Sequence, residues 1–286
     1  MTFHDPRDVL KRHGLWTKKR FGQNFLVSPT IPEQIARVGG VRLTDSVFEI
    51  GAGCGTLTRA LAPRASRVIA LEYDRDLIPV AKAELADYPH VEIRQGNVLD
   101  IDWNQVRSEF EQPPLIYGNL PYHLSSKIIL GLLEKPQTWQ RACFMLQKEF
   151  ADRLSAKIGS RQSSALSVQV AVWAVTTHAF SVPSDAFHPS PKVDSSVIVM
   201  ERLSQPAVDI GAQNSFRVVV RTLFAQRRKM ARKALKPITD DVEGLLSLAG
   251  LDGTRRGENF NLEEVAALSR ALKAQQLLRA GSEHDD

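Results

Sequence analysis

The chain has 286 residues, 43% of them hydrophobic and 24% charged, with a formal net charge of +5. These figures suit one large globular domain, or one large and one small, and exclude a disordered or fibrous polypeptide. No stretch has the length and apolarity of a membrane span, the N-terminus lacks a signal-peptide apolar region, and the two cysteines, Cys54 and Cys143, form no metal or disulfide spacing, so a soluble cytoplasmic protein is expected.

Residues 1–17 show no clear hydrophobic period and are expected to form a loose basic arm, followed by the cluster Lys18-Lys19-Arg20. Phe21 and Phe25 then bracket Gly22-Gln23-Asn24. A helix is predicted next: Ser28 can cap it, Pro29 suits the first turn, Ile31, Ile35 and Val38 share a face, and Gly39-Gly40 stop it. Residues 46–50 read as a buried strand running into Gly51-Ala52-Gly53-Cys54-Gly55-Thr56, where a helix starts. A second strand, 68–71, ends in Glu72, and a helix follows over 78–85. A third strand, 91–95, ends at Gly96-Asn97. The apolar run from Pro114 to Gly118 delivers Asn119-Leu120-Pro121-Tyr122 to a sheet edge, with a helix over 125–133. A fifth strand, 142–146, and a helix, 149–156, repeat the alternation, which argues for a parallel, doubly wound α/β sheet.

After Arg161 the pattern changes. Residues 164–174 read as a helix, and 175–182 and 195–202 as strands returning antiparallel, joined by the proline-rich Phe187-His188-Pro189-Ser190-Pro191-Lys192. A polar segment, 204–215, marks a domain boundary near residue 204. Beyond it, helices over 216–236, about 240–249, and 261–280 with Asn261 as cap predict a small all-helical domain, 204–286, with a disordered end from Gly281.

Glycines in a strand-to-helix turn let backbone approach a ligand closely. The spacing here, Gly-x-Gly-x-Gly, misses the NAD fingerprint by one residue. Glu72, ending the second strand, can accept from both ribose hydroxyls, a device that NAD and S-adenosylmethionine enzymes share. Asn97 is placed either to meet an adenine edge or simply to make a Gly-Asn turn. The tetrapeptide 119–122 combines an amide acceptor, neighbouring carbonyls, a stiff proline bend and a flat ring. Such a group can hold a planar base by its face and accept from its exocyclic amine, as for adenine. Acceptors on both N6–H bonds would localise the nitrogen lone pair for attack on an electrophile. The plainer alternative is a strand end, a proline turn and a rim aromatic. His123, His178 and His188 carry no ligand spacing, and no metal is expected.

Residues 216–236 hold eight basic side chains and no acidic one. On one continuous helix, Arg217, Arg221, Arg228 and Arg232 fall in a narrow arc opposite Phe216, Val220, Leu223, Met230, Ala231 and Ala234. Solvated faces normally mix signs, so this one is expected to meet phosphate. Arg227 falls within the apolar arc and is expected to pair with a buried acid or a backbone carbonyl.

Gln23-Asn24-Phe25-Leu26, Glu49-Ile50-Gly51-Ala52-Gly53-Cys54-Gly55, Glu72, Asn119-Leu120-Pro121-Tyr122 and Phe187-His188-Pro189-Ser190-Pro191-Lys192-Val193-Asp194-Ser195 occur in order. Together they resemble the bacterial small-subunit ribosomal RNA adenine-N6,N6-dimethyltransferases, the KsgA (RsmA) family. Phe224–Lys229 and Gly257–Phe260 resemble that family's C-terminal domain, so the resemblance spans roughly residues 18–275. It implies a class I S-adenosylmethionine-dependent methyltransferase domain (1–203), Rossmann-like, with a helical RNA-binding domain (204–286). The implied reaction is dimethylation of two adjacent adenines near the 3′ end of 16S rRNA, within the small ribosomal subunit or its precursor, by an enzyme without a membrane partner and expected to be a monomer. By the same resemblance, Gln23, Asn24 and Leu26 would cover the methionine end of S-adenosylmethionine. Gly51 and Gly53 would pass close to the cofactor, Glu72 would hold the ribose, and Asn97 and Val98 the adenine. Asn119 and the Leu120 carbonyl would take the target amine, with Tyr122 and Phe187 sandwiching the base. The family usually has Asp where this chain has Asn97. A large-subunit adenine methylase of the resistance type shares most of these motifs. A non-catalytic RNA- or DNA-binding protein and an NAD oxidoreductase are the other readings weighed; the intact motif set argues against the first and the loop spacing against the second.

Overall fold

The computed structural model of the chain describes residues 3–18 and 21–282, with side chains to residue 276. Among the described residues nine strands form in chain order: β1 (Phe25–Leu26), β2 (Ser46–Ile50), β3 (Arg67–Glu72), β4 (Val91–Gln95), β5 (Leu115–Asn119), β6 (Arg141–Gln147), β7 (Ala174–Val182), β8 (Phe187–His188) and β9 (Ser195–Arg202). Seven make one sheet in the order β4-β3-β2-β5-β6-β9-β7. The five from β4 to β6 run parallel, and β9 returns antiparallel to β6. Val47, Phe48, Val68, Ile69, Ile116 and Phe144 are all buried, as expected of parallel strands covered on both faces. The chain builds β2, β3 and β4 outward, then crosses back to place β5 on the other side of β2. A crevice opens where the winding reverses, outside the carboxyl ends of β2 and β5, and the glycine loop and the Asn119–Tyr122 turn leave those two ends.

The chain divides into two compact units, residues 1–151 with 176–202, and residues 152–175 with 203–286. In the first unit, helices α1 (Pro6–Arg12), α2 (Ile31–Val38), α3 (Thr56–Leu61), α4 (Ile78–Glu84), α5 (Trp103–Ser108), α6 (Ser125–Glu134) and α7 (Lys148–Leu154, which ends past the unit's boundary) alternate with the strands. The expected loose arm instead contains a short packed helix. Asp5 caps α1, Pro6 opens it, and Val9 and Leu10 bury themselves with Phe25, Cys54, Leu77 and Val80. His4 and Arg12 both bond Glu84. Three buried residues in a seven-residue helix, one of them the opening proline, give too short a period to register in the sequence. Helix α2 starts later than expected, with Pro32 rather than Pro29 in its first turn, where a missing N–H costs nothing. Ser28 caps nothing and bonds the Thr30 hydroxyl. Of the basic cluster at 18–20, Lys19 and Arg20 lie outside the described residues.

The second unit holds α8 (Ala165–Trp173), α9 (Gln213–Ala225), α10 (Ala231–Ala234), α11 (Val242–Ala249) and α12 (Leu262–Ser282). Residues 152–175, expected with the catalytic domain, belong here because Val168 and Val172 of α8 share one apolar cluster with Phe216, Val220, Leu245 and Leu272. The single helix expected over 216–236 is broken after Ala225. Met230 bridges to Arg256, and the Ala231 N–H donates to the Arg255 carbonyl, so tertiary pairing overrides the helical preference of 226–230. Arg227 is held as expected: it donates to Glu258 at 2.8 Å and to the carbonyls of Arg161 and Ser163 at 2.7 and 2.9 Å. Asn261 caps α12 in a reciprocal pair with Glu264. That helix runs through Ser282, beyond the expected disordered start at Gly281, and residues 283–286 lie outside the described residues. Among the described residues no helix is long and apolar enough to cross a membrane.

Candidate functional site

A cavity of about 430 Å³ opens at the carboxyl ends of the central strands, the size range of small-ligand sites. It is lined by Gln23, Asn24, Leu26, Gly51, Gly53, Glu72, Asn97, Val98, Asn119, Leu120 and Tyr122, so eleven residues scattered over a hundred positions meet in one space. Phe187 is the exception among the expected pocket residues.

One wall is the glycine loop. Gly51, Gly53 and Gly55 have φ of 84°, 56° and 81°, values that L side chains rarely adopt. A Cβ on Gly53 would sit 3.1 Å from the Phe25 ring. The N–H groups of Gly51 and Ala52 both donate to the Leu71 carbonyl, tying the loop to the end of β3. Glu72 finishes the brace: one carboxylate oxygen accepts from Gly53 N and the other from Asp74 N, each at 2.7 Å. Burial raises its carboxyl above the ordinary value, while these backbone donors act the other way. Each oxygen keeps a second lone pair for a pair of hydroxyls.

Glu49 is the residue the sequence motif contained without a stated role. It lies on β2, 1% exposed, lines the cavity, and its Oε2 has no hydrogen-bond partner. Burial pushes its carboxyl up to about 8, and the nearby Glu72 adds to the effect. An acid within the otherwise apolar run Val47–Ile50 was the available signal, since buried acids are rare unless paired.

The opposite wall is Asn119-Leu120-Pro121-Tyr122. The Leu120 N–H donates to the Met145 carbonyl of β6. Asn119 Nδ2 donates to the Asn24 carbonyl at 3.0 Å, across 95 residues of sequence. A carbonyl accepts only from the nitrogen, so the amide flip is fixed and Oδ1 is the end left to receive a donor. Asn24 itself is held close by β1 and β8, where Leu26 pairs with Phe187 and Phe25 with His188. Tyr122 is half-buried, and its hydroxyl lies 2.8 Å from the Ser195 Oγ.

Three of the expected site residues have partners that the sequence does not show. Phe187 is 3% exposed and packs with Leu26, Ala186 and Val197, so it presents no face for a base; it anchors the 23–26 segment. Gln23 lines the cavity, but its amide oxygen accepts from Lys18 N and its nitrogen donates to Asp74, so it braces the loop. Lys18 joins the same brace, 2.7 Å from Asp74 and 2.5 Å from Asp76. Asn97 caps its own turn: Oδ1 accepts from Leu99 N at 3.1 Å and Nδ2 donates to Asp100 at 3.0 Å. The turn that the sequence offered beside the adenine edge is formed, and Asn97 lines the cavity as well.

In the second unit Arg221, Arg228 and Arg232 are exposed and Arg217 is half-buried. They do not share one helical face, because Arg217 and Arg221 lie on α9, Arg228 in the turn and Arg232 on α10.

Residues 14–271 match the profile of the ribosomal RNA adenine dimethylases. A ribosomal RNA small subunit methyltransferase A from Magnetococcus marinus is 39% identical over 261 residues, covering 91% of this chain and 94% of its own. Among solved structures, a dimethyladenosine transferase from Plasmodium falciparum is similar with a TM-score of 0.71 at 23% identity, over 85% of this chain and 95% of its own. The 23S rRNA methyltransferase ErmE is similar with a TM-score of 0.66 at 26% identity, over 87% of this chain and all of its own.

Proposed function

The chain belongs to the ribosomal RNA adenine dimethylase family, and we propose that it dimethylates N6 of two adjacent adenines in the 3′-terminal hairpin of 16S rRNA, within the small ribosomal subunit or its precursor. It is an S-adenosylmethionine-dependent methyltransferase of class I fold. The residues present fit that cofactor. The glycine cradle has no side chain to obstruct it, Glu72 retains acceptors for two ribose hydroxyls, and the unpartnered Glu49 oxygen suits the positive methionine end. When bound, S-adenosylmethionine supplies an electrophilic methyl on a sulfonium leaving group. Gly51 and Gly53 would let the backbone approach it, with Asn24, Leu26 and Val98 as further walls.

The observation that carries the reading is the fixed Asn119 amide. Its nitrogen is held by the Asn24 carbonyl, so the oxygen of this cavity-lining residue is left as a preset acceptor for an exocyclic amine. Accepting there, together with the Leu120 carbonyl, Asn119 localises the amine lone pair, and alignment of nucleophile and methyl is most of the remaining task. Tyr122 supplies the stacking face for the unpaired or extruded base. The proton released by each methylation leaves to solvent at the open side of the cavity.

Exposed Arg221, Arg228 and Arg232, with Arg217, would contact RNA phosphates as separate points rather than as one face. Reversing Arg221 and Arg228 to Glu should weaken substrate binding and flatten its salt dependence; unchanged binding at moderate salt would show those side chains to be merely solvated. The reaction itself is tested by labelled methyl transfer from S-adenosylmethionine to isolated under-methylated small subunits, then mapping of the product. Two adjacent dimethyladenines near the 3′ end of 16S rRNA are expected. No label in small subunits, with transfer to large-subunit RNA offered in a parallel reaction, would overturn the assignment in favour of the activity that ErmE is named for.

A further inference from the structure

The Phe187–Ser195 segment ends in a serine that the stacking role of Tyr122 leaves unexplained. Ser195 is fully buried, and its Oγ lies 2.8 Å from the Tyr122 hydroxyl, across 73 residues of sequence. The segments that carry the two partners are tied to the same strand. Ser195 opens β9 opposite Gln147 of β6, the Lys148 N–H donates to the Asp194 carbonyl beside it, and the Leu120 N–H donates to Met145 of β6. The two ends of the bond therefore share one rigid frame.

We infer that Ser195 is a positioning residue for the methyl transfer: it sets the direction of the Tyr122 ring axis and so where the ring that stacks on the target base is placed. The geometry explains why the hydroxyl end matters. A tyrosine oxygen lies on the Cβ–Cγ axis, so a bond to it leaves ring flips free, and these are silent because the two faces are equivalent. What the bond fixes is the direction of that axis, which rotation about Cα–Cβ would otherwise change in large steps between staggered wells. The backbone end of the ring is already stiffened by Pro121. Burial of Ser195 leaves its hydroxyl no water to turn to, so the preference is not shared with solvent. Phenylalanine at 122 would keep the stacking face and lose only its placement.

The inference rests on Tyr122 being the stacking face, and a double-mutant cycle separates the two claims. Turnover, KM for small subunits and cofactor affinity by calorimetry are measured for Ser195→Ala, Tyr122→Phe, the double variant and Tyr122→Ala. Ser195→Ala and Tyr122→Phe should each lower turnover about fivefold to tenfold, as for loss of one net hydrogen bond. Cofactor affinity and KM should hold within about twofold, and the double variant should be no worse than either single. Wild-type turnover in Tyr122→Phe overturns the inference, whatever Ser195→Ala does by loosening β9. So do losses that simply multiply in the double variant. Wild-type turnover in Tyr122→Ala overturns the stacking reading itself.

Discussion

The two walls of the cavity are built from different chemistry. The glycine-loop wall carries two buried acids, Glu49 and Glu72, one with an unpartnered oxygen and one held by backbone N–H groups. The opposite wall, from Asn119 through Leu124, carries no carboxylate. The difference follows from what each must hold. A cationic cofactor with ribose hydroxyls is attracted by charge and by acceptors with spare lone pairs. A neutral amine that must keep its lone pair available is better served by a neutral acceptor fixed in direction. Under the proposed function, charge lies where charge would be bound, and orientation where a nucleophile would be aimed.

The hardest test of that contrast removes the aimed acceptor. Asn119→Ala should lower turnover by roughly 10²–10³, as for one transition-state hydrogen bond, and leave cofactor affinity within about threefold. Single-turnover methyl transfer and calorimetry give the two numbers. A parallel loss in cofactor affinity would make Asn119 part of the cofactor wall and erase the distinction.

The next largest effect belongs to Glu72. Both its oxygens accept from N–H donors, so Glu72→Gln replaces one acceptor by an NH₂ pointed at another N–H. The glutamine variant should therefore bind S-adenosylmethionine about as poorly as Glu72→Ala, with a loss of roughly tenfold to a hundredfold. Calorimetry showing the glutamine variant near wild type would mean that the carboxylate's acceptor pairs are not what shape this wall.

Much of this contrast was legible before the structure. Period-2 and period-3.6 patterns, with glycine and proline punctuation, sufficed for the sheet, because each buried parallel strand is an apolar run whose end is marked by a polar residue. Glu72 and Asn119 stand at such ends. The roles of individual side chains were less legible, because they depend on long-range partners. Asn119 is directed by Asn24, 95 positions away, whereas Asn97, at an equally inviting strand end, bonds within its own turn. Aromaticity marked Phe187 as a stacking residue, but pairing of β8 with β1 buries it. In the second unit, helical arithmetic put Arg227 on the inner face correctly, yet the helix it presumed ends at Ala225. No proline or glycine marks that break; the pairing of Met230 and Ala231 with residues 255–256 makes it.

Glu49 sharpens the contrast through pH. Its folded pKa, raised from 4.5 to about 8, means that the empty protein keeps a proton which the unfolded chain has already lost. The stability it contributes is thus fully present below the ordinary value and falls as pH rises toward 8, by about 1.4 kcal/mol for each pH unit between them. Glu49→Gln should match the parent at pH 4 and melt higher at pH 8. A cation bound beside Glu49 lowers its pKa, so cofactor binding at pH 7 should release a proton, read as a buffer-dependent binding enthalpy. The glutamine variant should release none. A parent whose binding enthalpy is independent of buffer would place the positive end of the cofactor away from Glu49.

The smallest expected effect is at Asn97, where both walls' logic can be tried on one residue. Its oxygen accepts from Leu99 N and its nitrogen donates to Asp100, and both ends remain partly exposed. Asn97→Asp keeps the cap, since either residue serves there. It replaces the donor facing Asp100 by a second carboxylate oxygen at hydrogen-bond distance, a like-charge contact that solvent and salt weaken without abolishing. Against this, a carboxylate would make a stronger bond than an amide to the amine of the cofactor's adenine. The two terms oppose each other and each is modest at an exposed site. S-adenosylmethionine affinity should therefore change by less than about threefold, with the balance moving toward tighter binding as salt rises. Pairing the change with Asp100→Asn separates the terms: the double variant removes the repulsion and keeps the carboxylate, and should bind more tightly than Asn97→Asp alone. Equal affinity of the single and double variants, at low and high salt, would mean that position 97 shapes only its own turn and takes no part in either wall.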